Sequence, residues 1–261
     1  MKILLAAALT VLWTATAIAQ DQSGRVWVLP LELDYDFGAD NGNALITRAI
    51  PVNTLLVRED WKLINLAMIT IADAPGGRPG SPGNPESVAG PSTFGLGDLT
   101  DAVLFTWNTK GKLMLGAGAA FNLPIATDKS LGSGKWQAGP AIRLGYQALN
   151  WRFGLLATNR WSFAGDSDRA DVNQLLLRTV ARRELGNRWF FISDPIITAN
   201  WNAASGQKWL VPIGGGLGRA VSRHPEPVNV SLQFYKNVIR PDGAPDWLVR
   251  VGVTFPFQFP E

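Results

Sequence analysis

At 261 residues and 28.3 kDa the chain suits one or two ordinary domains or a single closed β-barrel. Charged residues make up 17%, below an average of about a quarter, and 24 basic against 21 acidic residues leave a net charge of only +3. With no Lys/Arg run to track a phosphate backbone, nucleic acid is excluded as a partner, and with no cysteine and only His224 as imidazole, disulfide frameworks, thiolate sites and His-rich zinc centres are excluded too.

Two excesses remain, 27 Gly and 11 Trp, at a mean hydropathy of +0.05 that does not fit a helical membrane bundle. The N-terminus carries Lys2, an apolar stretch from Ile3 to Trp13, and the small-x-small pattern Ala17-Ile18-Ala19. This is the pattern of a secretory signal peptide over 1–19, cleaved before Gln20. The stretch is shorter than the roughly 20 apolar residues of a spanning helix. The mature domain is then 20–261, with no further uncharged run of spanning length.

The mature chain breaks into segments of two-residue periodicity separated by Gly, Pro, Asn and Asp clusters, which predicts strands. In chain order they cover 25–37, 44–57, 61–72, 96–108, 112–125, 135–148, 150–163, 170–184, 188–201, 208–221, 227–240 and 246–259. The last alternates most clearly, with Trp247, Val249, Val251, Val253, Phe255, Phe257 and Phe259 on one face and Arg250, Gly252, Thr254 and Gln258 on the other. The third has no clean phase, and Asp101 falls on the apolar phase of its segment. Pro51, Pro124, Pro140, Pro195, Pro212 and Pro256 lie inside predicted strands, where each removes a ladder donor and local bulges are expected.

Connections after even-numbered segments are tight, such as Arg58-Glu59-Asp60 and Gly186-Asn187, whereas those after odd-numbered ones are longer, above all the Gly/Pro/Ser-rich 73–95. A soluble sandwich has no reason to sort its loops so; an outer-membrane barrel has short periplasmic turns and long extracellular loops. Trp27, Trp61, Trp107, Trp151 and Trp189 fall at the periplasmic ends, and Trp136, Trp161, Trp201, Trp209 and Trp247 at the extracellular ends. An indole has an apolar body and one N–H donor, so two such rings fit two aromatic girdles at headgroup depth. The expected fold is all-β, a transmembrane antiparallel outer-membrane β-barrel of about twelve strands with the polar phase lining the lumen.

Several stretches carry a family resemblance: Gly95-Leu96-Gly97-Asp98, Leu123-Pro124-Ile125-Ala126-Thr127-Asp128, Gly132-Ser133-Gly134-Lys135-Trp136, Trp161-Ser162-Phe163-Ala164-Gly165, Pro195-Ile196-Ile197-Thr198-Ala199-Asn200-Trp201 and Lys208-Trp209-Leu210-Val211-Pro212-Ile213-Gly214-Gly215-Gly216. Over nearly the whole mature chain the sequence resembles the bacterial outer-membrane transporter-like family grouped under the phenol meta-cleavage (MetA) degradation label. The resemblance implies a barrel in the cell outer membrane and passive uptake of small solutes, with no catalytic residues to carry over. The chain departs from general barrel practice at its end, where Pro260 and Glu261 follow Phe259.

Motifs for other chemistries fail. Around Gly134-Lys135 a phosphate-cradling loop would need glycine at Lys129 and Ser/Thr at Trp136. Gly214-Gly215-Gly216-Leu217-Gly218 misplaces the third glycine of a dinucleotide fingerprint and precedes no helix pattern. His224 with Ser231 could make a barrel hydrolase, but His224 falls in an expected periplasmic turn, away from outer-leaflet lipid.

The lumen-lining candidates are Arg143, Arg152, Arg160, Arg178 and Arg182 on three consecutive strands, facing Glu32, Asp34 and Asp36 on the first. Arginine facing lipid at mid-depth costs roughly 2–4 kcal/mol, which places these side chains inside. They form either a basic wall that orients solutes, aromatic or anionic ones among them, or ion pairs that plug a narrow lumen. The expectation is thus a non-enzymatic outer-membrane channel with no cofactor and no metal. Its partners are the outer-membrane bilayer, the barrel assembly machinery and a small-molecule solute. The alternatives are a closed barrel with a structural or interaction role and, behind it, a barrel hydrolase. Mass spectrometry of membrane-extracted protein should find the chain beginning at Gln20; an intact Met1 would contradict the leader.

Overall fold

A computed structural model describes residues 25–85, 88–109, 112–221 and 227–257. The expected leader, His224 and the last four residues lie outside the described residues. The strands are β1 (Arg25–Phe37), β2 (Ala44–Ala49), β3 (Val52–Arg58), β4 (Trp61–Pro75), β5 (Ser92–Leu96), β6 (Leu99–Asn108), β7 (Leu113–Leu123), β8 (Lys135–Ala148), β9 (Trp151–Gly165), β10 (Asn173–Gly186), β11 (Trp189–Ser193), β12 (Ile196–Asn200), β13 (Trp209–Ala220), β14 (Asn229–Ile239) and β15 (Trp247–Phe257). All pair antiparallel with their neighbours, and β15 returns to β1 from Trp27↔Phe257 to Phe37↔Trp247, closing the wall. β2 with β3, β5 with β6, and β11 with β12 are halves of three wall strands, so these fifteen strands make the twelve expected positions.

Those halves correct the expectation of continuous segments. The breaks fall at Ile50-Pro51, Gly97-Asp98 and Asp194-Pro195, and two of the three contain a proline, which has no N–H for the ladder. The carbonyls of Pro51 and Pro195 still accept, from the N–H groups of Ala67 and Thr179. Elsewhere Pro212 sits at a register shift after Val211, β7 stops just before Pro124, and the β8–β9 ladder skips Gly139 and Pro140 before resuming at Ala141↔Thr158. Bulging is therefore one remedy among three.

Connections alternate in length. One end of the barrel carries residues 59–60, 149–150 and 187–188; the other carries 38–43, 76–91, 124–134, 166–172, 201–208 and 240–246. Asn187 (φ 48) and Arg188 (φ 65) form the paired left-handed residues of a type I′ hairpin turn. Trp61 and Trp107 stack at the short-turn end with ring centroids 6.1 Å apart, and Trp201 meets Trp209 edge-on at 5.5 Å at the other end. Tryptophans at both ends are turned outward, and Leu63, Ile69, Phe105, Ile142, Leu144, Phe153, Leu232, Phe234 and Val251 fill the belt between them. An apolar band between two aromatic rings is what a barrel wall presents to lipid.

The inner face is less uniform than expected. Ile50, Val52, Ile64, Leu66, Met68, Ala102, Leu104, Met114, Ala120, Ala141, Leu156 and Val180 form an apolar cluster inside the barrel, contributed largely by β3, β4, β6 and β7 to β10. This explains the unclear phase of the third segment: β4 is apolar inward (Ile64, Leu66, Met68) and outward (Leu63, Ile69, Ile71). Asp101 does face outward, where Asn65 on β4 donates to its carboxylate at 2.7 Å. No bulge is needed to place it there.

Val251→Arg, which sets a charge on the outward belt where the side chain is 37% exposed, should lower the unfolding free energy in liposomes by about 2–4 kcal/mol. Leu149→Arg, in a turn and 92% exposed, should change it by less than about 0.5 kcal/mol. Equal losses in urea titrations would contradict this placement of the wall.

Candidate functional site: the barrel lumen

The lumen is crossed by an ion network. Glu32 and Asp34 on β1, both buried, face inward between the outward Leu31, Leu33 and Tyr35. Arg250 on the neighbouring β15 grips Asp34 with Nε at 2.7 Å and Nη2 at 2.8 Å, a bidentate pairing, and lies 3.3 Å from Glu32. Arg48 on β2 also bonds Asp34. From the far wall Arg178 on β10 reaches Glu32, and bonds Asp194 at 2.8 Å. Asp194 is turned inward by the break before Pro195; its N–H donates to the Tyr235 hydroxyl at 2.9 Å. Three guanidiniums thus meet three carboxylates inside the wall, a neutral count in a place where an unmatched ion costs several kcal/mol.

The long connection after β4 does not stay outside. Residues 78–84 fold into the lumen, against the expectation of an extracellular loop. Arg78 bonds Asp36 at 2.8 Å; Thr198 donates to the Gly80 carbonyl at 2.8 Å; and Gln174 donates to Ser81 O at 2.8 Å while accepting from Gly83 N at 2.7 Å. Gln137 donates to Gly83 O at 3.0 Å. Five bonds from four wall strands hold the segment, the neutral ones each contributing roughly 0.5–1.5 kcal/mol. Glycine is required at 83, where φ is +79° and a Cβ would stand 2.8 Å from Asn122 Oδ1. Cavities of about 60 Å³ flank the segment on two sides, room for a few waters and no larger solute.

The sequence candidates separate into different environments. Glu32, Asp34 and Arg178 belong to the ion network, and Asp36 holds the inserted segment. Arg182 bonds Glu184 at 2.8 Å and lies 3.6 Å over the Phe190 ring; Phe190 has space there because Gly218 opposite has no Cβ to overlap it. Arg152 stands directly across the β9–β10 ladder from Arg182 near the short-turn end. Arg143 is buried on β8, and Arg160 is buried on β9 beside Gln174. The candidates are thus not one basic wall opposite an acidic one. Sequence reading did not select Arg48, Arg78, Asp194 and Tyr235. Arg48 and Tyr235 lie on the inner phase of their strands, a usable signal; Arg78 sits in a Gly/Pro-rich loop and Asp194 at a break, where periodicity is silent. Of the hydrolase pairing, Ser231 is buried beside Gln233 and His224 lies outside the described residues.

At the long-loop rim, outside the wall strands, Asp171 is bonded by Lys135 at 3.2 Å and by the Ser162 hydroxyl at 3.1 Å, which hold its carboxyl below the usual carboxylate range. Asp98, at the β5–β6 break, accepts from Ser133 N at 2.9 Å, Ser133 Oγ at 2.7 Å and Asn122 Nδ2 at 2.9 Å, tying that break to the connection after β7.

Arg250→Met should remove about 3–5 kcal/mol of stability, because three buried carboxylates would share two guanidiniums. Urea unfolding followed by electrophoretic mobility measures it, and a loss under about 1 kcal/mol would show the network to be well solvated.

No protein-family model and no curated protein sequence matches the chain. Among solved structures, the chain is similar to the COG4313 outer membrane channel from Pseudomonas putida F1, with a TM-score of 0.63, 12% identity, and coverage of 90% of this chain and 96% of that one. At that identity the likeness is one of fold: both chains wind into the same kind of closed barrel.

Proposed function

We propose that the protein is an outer-membrane channel for passive uptake of small solutes, aromatic or anionic compounds among them, and that residues 78–84 are its movable obstruction. The observation that carries this reading is how the lumen is closed. Above the ion network the obstruction is a chain segment hung on wall side chains, through its backbone and through Arg78 on Asp36, so this part of the closure can open without breaking the barrel ladder. The apolar belt and the two tryptophan rings support a place in a membrane. The similar solved fold is that of an outer membrane channel, and the resemblance to the MetA-labelled family points the same way. Export by a cleaved leader and insertion by the barrel assembly machinery belong to this reading, as does the absence of covalent chemistry.

The ion network favours the alternative, a closed barrel with a structural or interaction role in the envelope. An anion-selective arginine ladder is weakened by it as well: Arg178 is committed to Glu32 and Asp194, so its field is largely cancelled. Substituting Arg178 should therefore damage folding rather than retune selectivity.

The flanks of the obstruction are already joined, Gly76 N to Gly90 O at 3.1 Å. Replacing residues 78–88 by Gly-Ser should preserve the wall and raise single-channel conductance in planar bilayers several-fold over the intact protein. Equal conductance, or none in either, would favour the closed-barrel alternative.

A further inference from the structure

Beneath the inserted segment, toward the short-turn end, lies a chamber lined by Ile50, Leu66, Met68, Leu156 and Leu176, with the hydroxyls of Thr100 and Thr158 at its side. Arg160 borders it. This guanidinium is 98% buried, its exposure being 2%, yet among the described residues no carboxylate lies within ion-pair distance of it. Its Nε has no hydrogen-bond partner. Its Nη2 makes one long bond, 3.4 Å to Gln174 Oε1, an oxygen already taken at 2.7 Å by Gly83 N.

The other charges around the chamber are spent. Arg178, which also borders it, is held by Glu32 and Asp194. Asp98 attracts Arg160 through space, but its carboxylate is bonded by Ser133 and Asn122 and makes no direct contact with the guanidinium, and the carboxylate of Asp101 is on the outer face with Asn65. An arginine retains its charge at any working pH, and Asp98 attracts it only from beyond ion-pair distance, so the chamber carries a positive charge with no direct counter-ion among the described residues and several N–H donors to spare.

We infer that the chamber is a binding site for an amphiphilic monocarboxylate, its head group on Arg160 and its apolar body against the aliphatic wall. A planar guanidinium matches a carboxylate with two parallel bonds. One net charge matches a monoanion better than a phosphate dianion, and an aliphatic lining with no aromatic ring suits an alkyl body. At rest the chamber measures only about 40 Å³ and residues 78–84 do not line it, so their withdrawal gives access from above while a slim solute makes its room by displacing aliphatic side chains such as Met68. This inference rests on the channel reading for its biological sense, while binding can be measured independently of passage.

The test is equilibrium dialysis of the full-length protein in lipid nanodiscs, intact and with residues 78–88 replaced by Gly-Ser, against three probes. Hexanoate has head and body, hexanamide has the body without the charge, and inorganic phosphate has charge without the body. Hexanoate should bind saturably, at least tenfold tighter than either control. Arg160→Gln should abolish that preference and Arg160→Lys should keep part of it, with heat-modifiable gel mobility reporting a folded barrel. Should Arg160→Gln fail to fold, the comparison of hexanoate with hexanamide on the native sequence decides. Equal binding of the two, no saturable hexanoate binding in either protein, or hexanoate binding unchanged in folded Arg160→Gln would overturn the inference. Conductance without hexanoate binding would remove this inference alone; hexanoate binding without conductance would remove the channel reading alone.

Discussion

Arg178 and Glu32 meet across the lumen, from walls 146 residues apart in sequence, and much of the interior is arranged around that contact. A charge buried inside a closed barrel must be matched, and the cheapest match is a carboxylate from the opposite wall. Once Arg178 takes Glu32, Asp34 is left for Arg250 and Arg48, and Asp194 is needed to complete the count. Supplying Asp194 takes the interruption of β11 and β12 before Pro195. A strand break that looks like a defect in the ladder thus delivers a carboxylate to the centre of the molecule.

The network also divides the lumen. On the side of β1, β2, β14 and β15 the inner wall is polar and its hydrogen bonds are largely satisfied within the protein. On the side of β4 and β6 to β9 an apolar cluster is set among buried polar groups such as Thr106, Asn122, Gln137 and Arg143, with the Arg160 chamber between the two sides. The inserted segment caps this arrangement. Its backbone groups are satisfied by Gln137, Gln174 and Thr198, side chains of three separate strands, while Pro79 and Pro82 limit the freedom it would gain on release.

Much of the wall was legible in the sequence, because a barrel in lipid imposes a strict two-residue alternation and leaves indoles at the headgroups. The full alternation of 246–259 and the tryptophans of Trp61 and Trp107 are direct consequences. The interior was less legible. Alternation says that Glu32 and Arg178 face inward, but it cannot say that they touch, since their contact depends on barrel diameter and stagger. Where the inner face is apolar, as at Ile64, Leu66 and Met68, alternation loses contrast and the phase cannot be read.

The sequence by itself determined the class of fold, the number of wall positions, the sorting of long and short connections and the side of the wall on which the charges within regularly alternating strands stand. These follow from local periodicity and from the cost of exposing polar groups to lipid. Only the tertiary structure decided that residues 78–84 turn inward, that three arginines are neutralised by three carboxylates, and that Arg160 is left without a direct ion pair among the described residues. Each of those depends on distances across the closed barrel between residues far apart in the chain, and no local pattern of residues encodes such a distance.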